Sequence, residues 1–144
     1  MMSEVGATVG NMTQIQRLRP QGLVSSPAFS HVAVVPPGAT TIYVGGQNAV
    51  DADGELVGEG DVAAQSVRAL ENAETALAAA DVAVDDVVHW SVLFVDGVDI
   101  AAGYGAIASR LASDEPALVT AARVAGLGVP GALVEISAVA AVVR

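Results

Sequence analysis

Apolar side chains at Ala63, Val67, Leu70, Ala73, Leu77 and Ala80 recur at steps of three and four, the spacing of one helical face, and Asp61 stands where an N-cap belongs. The spacing predicts a helix over residues 61–80. A weaker repeat at Ile100, Tyr104, Ile107 and Leu111 predicts a second helix over 98–112, in which Gly103 and Gly105 each cost about 1 kcal/mol relative to alanine. Short β-branched runs at 31–35 and 41–46 flank Pro36-Pro37-Gly38 and read as a hairpin. Asp53-Gly54, between Ala49-Val50 and Leu56-Val57, predicts a small flap or short hairpin. Residues 87–95, rich in valine and carrying Trp90 and Phe94, read as a central strand. Pro116 then resets the chain into an extended stretch over 117–124, and the last strand, 132–143, follows a loop at 126–131. The order is ββαβαββ, an α+β domain.

The last strand says how that domain is packed. Val134, Ile136, Ala138, Ala140 and Val142 make one side continuously apolar, while Leu133, Glu135, Ser137, Val139 and Ala141 make the other half apolar. Both sides are therefore expected to be largely buried. Two helices cover only one face of a sheet, so the second face calls for another partner, and a copy of the same chain is the simplest one.

Residues 1–20 are polar, hold Gly6, Gly10 and Pro20, and show no sustained period, so they read as a mobile or loosely docked lead-in, with Met12 as an alternative start. Residues 21–144 form the single domain. The first nineteen residues contain no continuous apolar core for secretion, and the longest apolar run, 136–143, is far below the roughly 20 residues of a membrane helix, so a cytoplasmic protein is expected. A chain that is 53% hydrophobic but only 3% aromatic builds its core from many small aliphatic pieces. Six basic against sixteen acidic residues give a net charge of -10, which repels phosphate backbones and opposes long-range capture of anionic ligands. The lack of cysteine excludes disulfides, thiolate metal sites and cysteine nucleophiles.

Several phrases carry a resemblance over residues 21–144: Tyr43-Val44-Gly45-Gly46-Gln47, Asp53-Gly54-Glu55-Leu56-Val57, Ala64-Gln65, Ala69-Leu70-Glu71-Asn72 and Pro130-Gly131-Ala132-Leu133-Val134-Glu135-Ile136. In order and spacing the chain resembles the RidA/YjgF family of small trimeric proteins. The resemblance implies a chorismate-mutase-like fold, with one sheet, two helices on one face, the trimer packed through the other face, and small-molecule clefts at subunit boundaries. Relatives hydrolyse reactive enamines and imines to 2-keto acids and ammonia without a cofactor. They use an arginine to hold the substrate carboxylate and a glutamate near the attacking water.

Carried over by position, the glutamate corresponds to Glu135. The arginine follows a Pro-Ala pair, and here Pro116-Ala117 is followed by Leu118, which offers no donor to a carboxylate. Arg123 is an odd number of strand positions away and is expected on the opposite face. The family's tyrosine aligns with Phe29, its serine before the Gly-Gln pair with Gly45 next to Gly46, its helix-2 asparagine with Tyr104, and its thiol or hydroxyl residue with Thr120. The resemblance thus implies a cleft more apolar than that of the deaminating relatives. It serves either hydrolysis of an imine or enamine with an altered substrate range, or non-catalytic binding of a small ligand by a regulatory trimer.

Glu135 itself admits two readings: a general acid/base or water-positioning group, and a strand glutamate satisfied by backbone donors at a subunit boundary. His31 and His89 lie on separate strands without a third ligand at metal spacing, so no metal is expected. Ser25, Ser26 and Ser91 lack a nucleophile elbow, and Gly45-Gly46 lacks the pattern of a phosphate loop. Trp90, between Val88 and Val92, reads as a core or interface residue.

Overall fold

The computed structural model describes residues 13–144. Gln16–Leu18 (β1) pairs antiparallel with Val32–Val34 (β2) in a two-stranded ribbon. Thr40–Gln47 (β3), Val87–Val95 (β4), Leu118–Val124 (β5) and Val134–Val142 (β6) form a four-stranded sheet of order β3-β6-β4-β5. Only the β4-β5 pair is parallel; β3-β6 and β4-β6 are antiparallel.

The longest helix, Val62–Ala79 (α1), forms where the apolar spacing predicts it. The Asp61 carboxylate accepts from the Ala64 N–H and satisfies one orphan donor of the first turn. Its face of Ala69, Leu70, Ala73 and Leu77 is fully buried against Val134, Ile136, Ala138 and Ala140 of β6 and Trp90, Val92 and Phe94 of β4. Full burial of each leucine contributes about 2 kcal/mol. β4 is interior in the sheet, as its valine-rich run suggests, and Trp90 belongs to this core.

Three expectations are corrected. The second helix is broken into Ile100–Gly105 (α2) and Ala108–Leu111 (α3) by a tight turn at Ala106 and Ile107, where the Ile107 N–H donates to the Tyr104 carbonyl and the Ile107 side chain is fully buried in the core. Gly103, read from sequence as a liability, is a close-approach site: a Cβ there would lie 2.7 Å from Phe94 Cε1 and 2.9 Å from Val62 Cγ2. The runs on either side of Pro36-Pro37-Gly38 are not a hairpin, since β2 joins β1 and β3 joins β6. Two successive prolines remove two N–H donors from the point where a ladder would have to continue. The partner of β2 comes from the segment taken as a loose lead-in. Within it, Arg17 donates to the carbonyls of Asp85 and Val87 at 3.0 and 2.8 Å, while the lead-in before residue 13 and Met12 lie outside the described residues.

The predicted flap at 49–57 is present as a Val50–Leu56 bridge, closed by Asp51 Oδ1 accepting from the N–H groups of Asp53 and Glu55. It is lashed to α1 by Asn72, whose amide donates to the carbonyls of Asn48 and Val50. Gln65, fully buried, donates to the Gly58 and Gly131 carbonyls and accepts from the Leu133 N–H, fixing the entry to β6.

Candidate functional site

The described helices pack against one face of the sheet. The other face is open in the single chain: Glu135, Ser137 and Val139 of β6 are half-buried, and Tyr43 of β3 is 78% exposed. Strand register lays this face out in rows, because Cα partners send their side chains to the same side. Leu118, His89, Val139 and Tyr43 make one row across β5, β4, β6 and β3. Thr120, Ser91 and Ser137 make the next, a line of three hydroxyls, and Ala122, Leu93 and Glu135 the third.

In the third row Glu135 sits against Gly46, where a Cβ would meet the carboxylate Cδ and Oε2 at 2.6 Å. The close approach is possible because β3 carries an irregularity between Val44 and Gln47 and a glycine at the point of contact. Neighbouring Gly45 is exposed and has open space where a side chain would stand; its carbonyl accepts from the Gln47 amide.

At the other end of the face, His89 and Thr120 are joined: imidazole Nε2 lies 2.8 Å from Thr120 Oγ1. Tyr43, His89, Ser91, Ser137 and Val139 line a shallow depression of about 180 Å³. Phe29 is carried by the segment whose Ser30 N–H donates to the Ala117 carbonyl, which brings its backbone beside the start of β5 and Leu118; its ring packs edge-on to His31, centroids 5.4 Å apart.

The residues singled out from sequence therefore fall into separate places. Glu135 and Gly46 meet, with Gly45 adjacent. Leu118 and Thr120 share the face but lie toward its other end, with Phe29 near by. Tyr104 stands apart on α2, packed against the core of the helix-covered face, where burial raises its phenol above the ordinary 10.0. His89, Ser91 and Ser137 were not singled out as site residues. The signal was the alternation along β4 and β6, but a row becomes visible only once register is known.

Among the described residues no arginine serves the open face. All six basic residues are arginines, and each is engaged elsewhere. Arg123 is the register partner of Phe94, on the helix-covered side, and donates to the Val98 carbonyl at 3.2 Å. The odd offset from Leu118 thus acts as expected. Among the described residues no group of three or more His, Cys, Asp or Glu could hold a metal ion. Among them, too, no helix is long and apolar enough to cross a membrane.

The fold, a four-stranded sheet with helices, matches that of known proteins. The family model described as Endoribonuclease L-PSP matches residues 21–142. The chain belongs to this family, the RidA/YjgF/UK114 group. Among solved structures it is similar to the Rid-family protein YyfB of Yersinia pestis, itself of unknown function, with 28% identity over 89% of this chain and 98% of that one and a TM-score of 0.77. RidA of an Antarctic Psychrobacter species is 27% identical, covering 92% of this chain and 99% of that one, with a TM-score of 0.63. A Mycobacterium tuberculosis member of the YjgF/YER057c/UK114 family is 27% identical over 90% and 100%, with a TM-score of 0.60. No curated protein sequence matches.

Proposed function

We propose that the chain forms a cytoplasmic homotrimer whose subunit clefts bind a small molecule and hydrolyse an imine or enamine, with a substrate range altered by Leu118. The observation that carries this reading is the spread of the candidate residues over one face. Glu135 is the row partner of Leu93, whereas Leu118 is the partner of His89, four residues earlier on β4. Four strand residues span about 13 Å. A small metabolite touching Glu135 does not reach Leu118 of the same chain, so a compact site needs the Glu135 end of one subunit against the Leu118 end of its neighbour. The half-apolar open face and exposed Tyr43 supply the surface for that contact.

In the reaction, water attacks the C=N carbon while Glu135 takes its proton. That proton passes to nitrogen to give the amino alcohol; the hydroxyl proton of the amino alcohol then passes by way of Glu135 to the amine as the C–N bond breaks, and ammonia leaves behind a carbonyl. Donors from the Gly45 and Thr120 regions stabilise the charge that develops. Cleavage of RNA fits this face less well, since a chain of net charge -10 with no arginine on the open face repels the phosphate backbone.

An amino-acid oxidase that generates imines from a panel of amino acids, with ammonia or carbonyl appearance as readout, tests the reading. Faster imine decay with the wild-type chain, lost in Glu135→Ala, supports it. Equal decay with wild type, variant and buffer overturns it and leaves a trimer that binds without catalysing.

A further inference from the structure

The row that places Leu118 where relatives are expected to hold an ionic anchor also holds His89. The two are register partners across β5 and β4, and His89 is tied to Thr120 by the 2.8 Å contact. We infer that the His89–Thr120 pair is the polar anchor of the cleft, and that it recognises the carbonyl or amide oxygen of an uncharged ligand. The inference rests on the cleft reading above and adds to it a residue and a ligand class.

The hydrogen count of the pair supports the role. When the threonine hydroxyl donates to Nε2, the imidazole keeps an Nδ1–H to offer; when Nε2–H donates to the hydroxyl, the hydroxyl proton is free. Either way the pair keeps one donor, and His89 itself lines the depression together with Ser91 and Ser137. A neutral oxygen needs such a donor and nothing more. A carboxylate needs compensation for the desolvation of a full charge. All six arginines are engaged away from this face, and the chain as a whole is strongly acidic. The other titratable groups of the face are Tyr43 on β3, in the same row, and Glu135 on β6, two rows away, whose charge opposes a second carboxylate. From β5 come only Leu118 and Thr120 in these two rows.

The test uses the assembled full chain and two matched probes, 2-oxobutyramide and 2-oxobutyrate, with dissociation constants from NMR titration. The expected result is tighter binding of the amide by about tenfold or more, a difference on the scale of one or two good hydrogen bonds. His89→Ala and Thr120→Val weaken amide binding by about the same factor with unchanged thermal unfolding, and His89→Gln, which keeps a donor, recovers part of the loss. Equal or tighter binding of the acid, no binding of the amide, or an unchanged amide affinity in His89→Ala overturns the inference. Imine hydrolysis that depends on Glu135 but not on His89 removes the anchor and leaves the hydrolytic reading intact. Amide binding that depends on His89 in a chain without imine hydrolysis does the reverse.

Discussion

The Glu135 carboxylate occupies the space in front of Gly46, so that a Cβ on residue 46 would lie 2.6 Å from both Cδ and Oε2. The obstruction is the far end of a flexible side chain, and Gly46 is exposed. Gly46→Ala is therefore expected to leave stability within about 1 kcal/mol of wild type, because the carboxylate swings aside at little cost. It is also expected to lower imine turnover by about tenfold or more, since a displaced base loses its line to the reacting water. Paired thermal unfolding and turnover measurements check this. A loss of stability equal to the loss of activity contradicts it.

Leu118→Arg restores a guanidinium in the row of His89 and Thr120. A bidentate charge-assisted contact contributes about 1.5–3 kcal/mol, which predicts 2-oxobutyrate binding strengthened by roughly ten- to a hundredfold. Titration of wild type and variant side by side measures it. Unchanged affinity places residue 118 away from the ligand.

The sequence phrases that revealed the family turn out to be mostly scaffold. Gln65, Asn72 and Gly131 read clearly because each is fixed by backbone geometry: Gln65 joins Gly58, Gly131 and Leu133, Asn72 holds the flap, and Gly131 has φ 81° with Leu56 Cδ2 where a Cβ would stand. Helix α1 was legible from its apolar spacing for the same reason, since its face is set by local periodicity. The His89–Thr120 pair was not, because it depends on which residue of β5 lies beside which residue of β4. Nor was β1 or its pairing with β2: the 31–35 run was read as a strand, but β1 is only three residues long and carries no usable alternation.

Gln65→Leu tests that scaffold role. It leaves the Leu133 N–H without its acceptor beside a site of zero exposure and takes one donor from the Gly131 carbonyl, whereas the Gly58 carbonyl keeps the Asp61 N–H. The expected cost is about 2 kcal/mol in chemical denaturation, chiefly from the Leu133 N–H, since one unsatisfied buried group costs roughly 1–3 kcal/mol. A change below about 1 kcal/mol argues that the loops close without it.

Gly103→Ala sets two effects against each other. Alanine gains about 1 kcal/mol of helix propensity. Its Cβ meets Phe94 and Val62 at 2.7 and 2.9 Å, and Phe94 is fully buried in a packed core. Overpacking of this kind costs about 1–3 kcal/mol, so a net loss in the denaturation midpoint is expected. A stabilised variant shows instead that α2 moves outward freely.

Oligomerisation can be tested in a way that also tests whether the cleft is shared. Tyr43, 78% exposed in the row of His89, is expected at the subunit contact, so Tyr43→Asp shifts sedimentation from about three times 14.3 kDa toward the single chain. Complementation carries the argument further. Glu135→Ala and Leu118→Asp disable opposite ends of the same face, and each alone forms only defective clefts. When the two chains are mixed and reassembled in equal amounts, each cleft has even odds of an intact Glu135 end and even odds of an intact neighbour. About a quarter of wild-type turnover should return. If both ends served one intramolecular site, every chain in the mixture would remain defective, and no ratio of the two would restore activity.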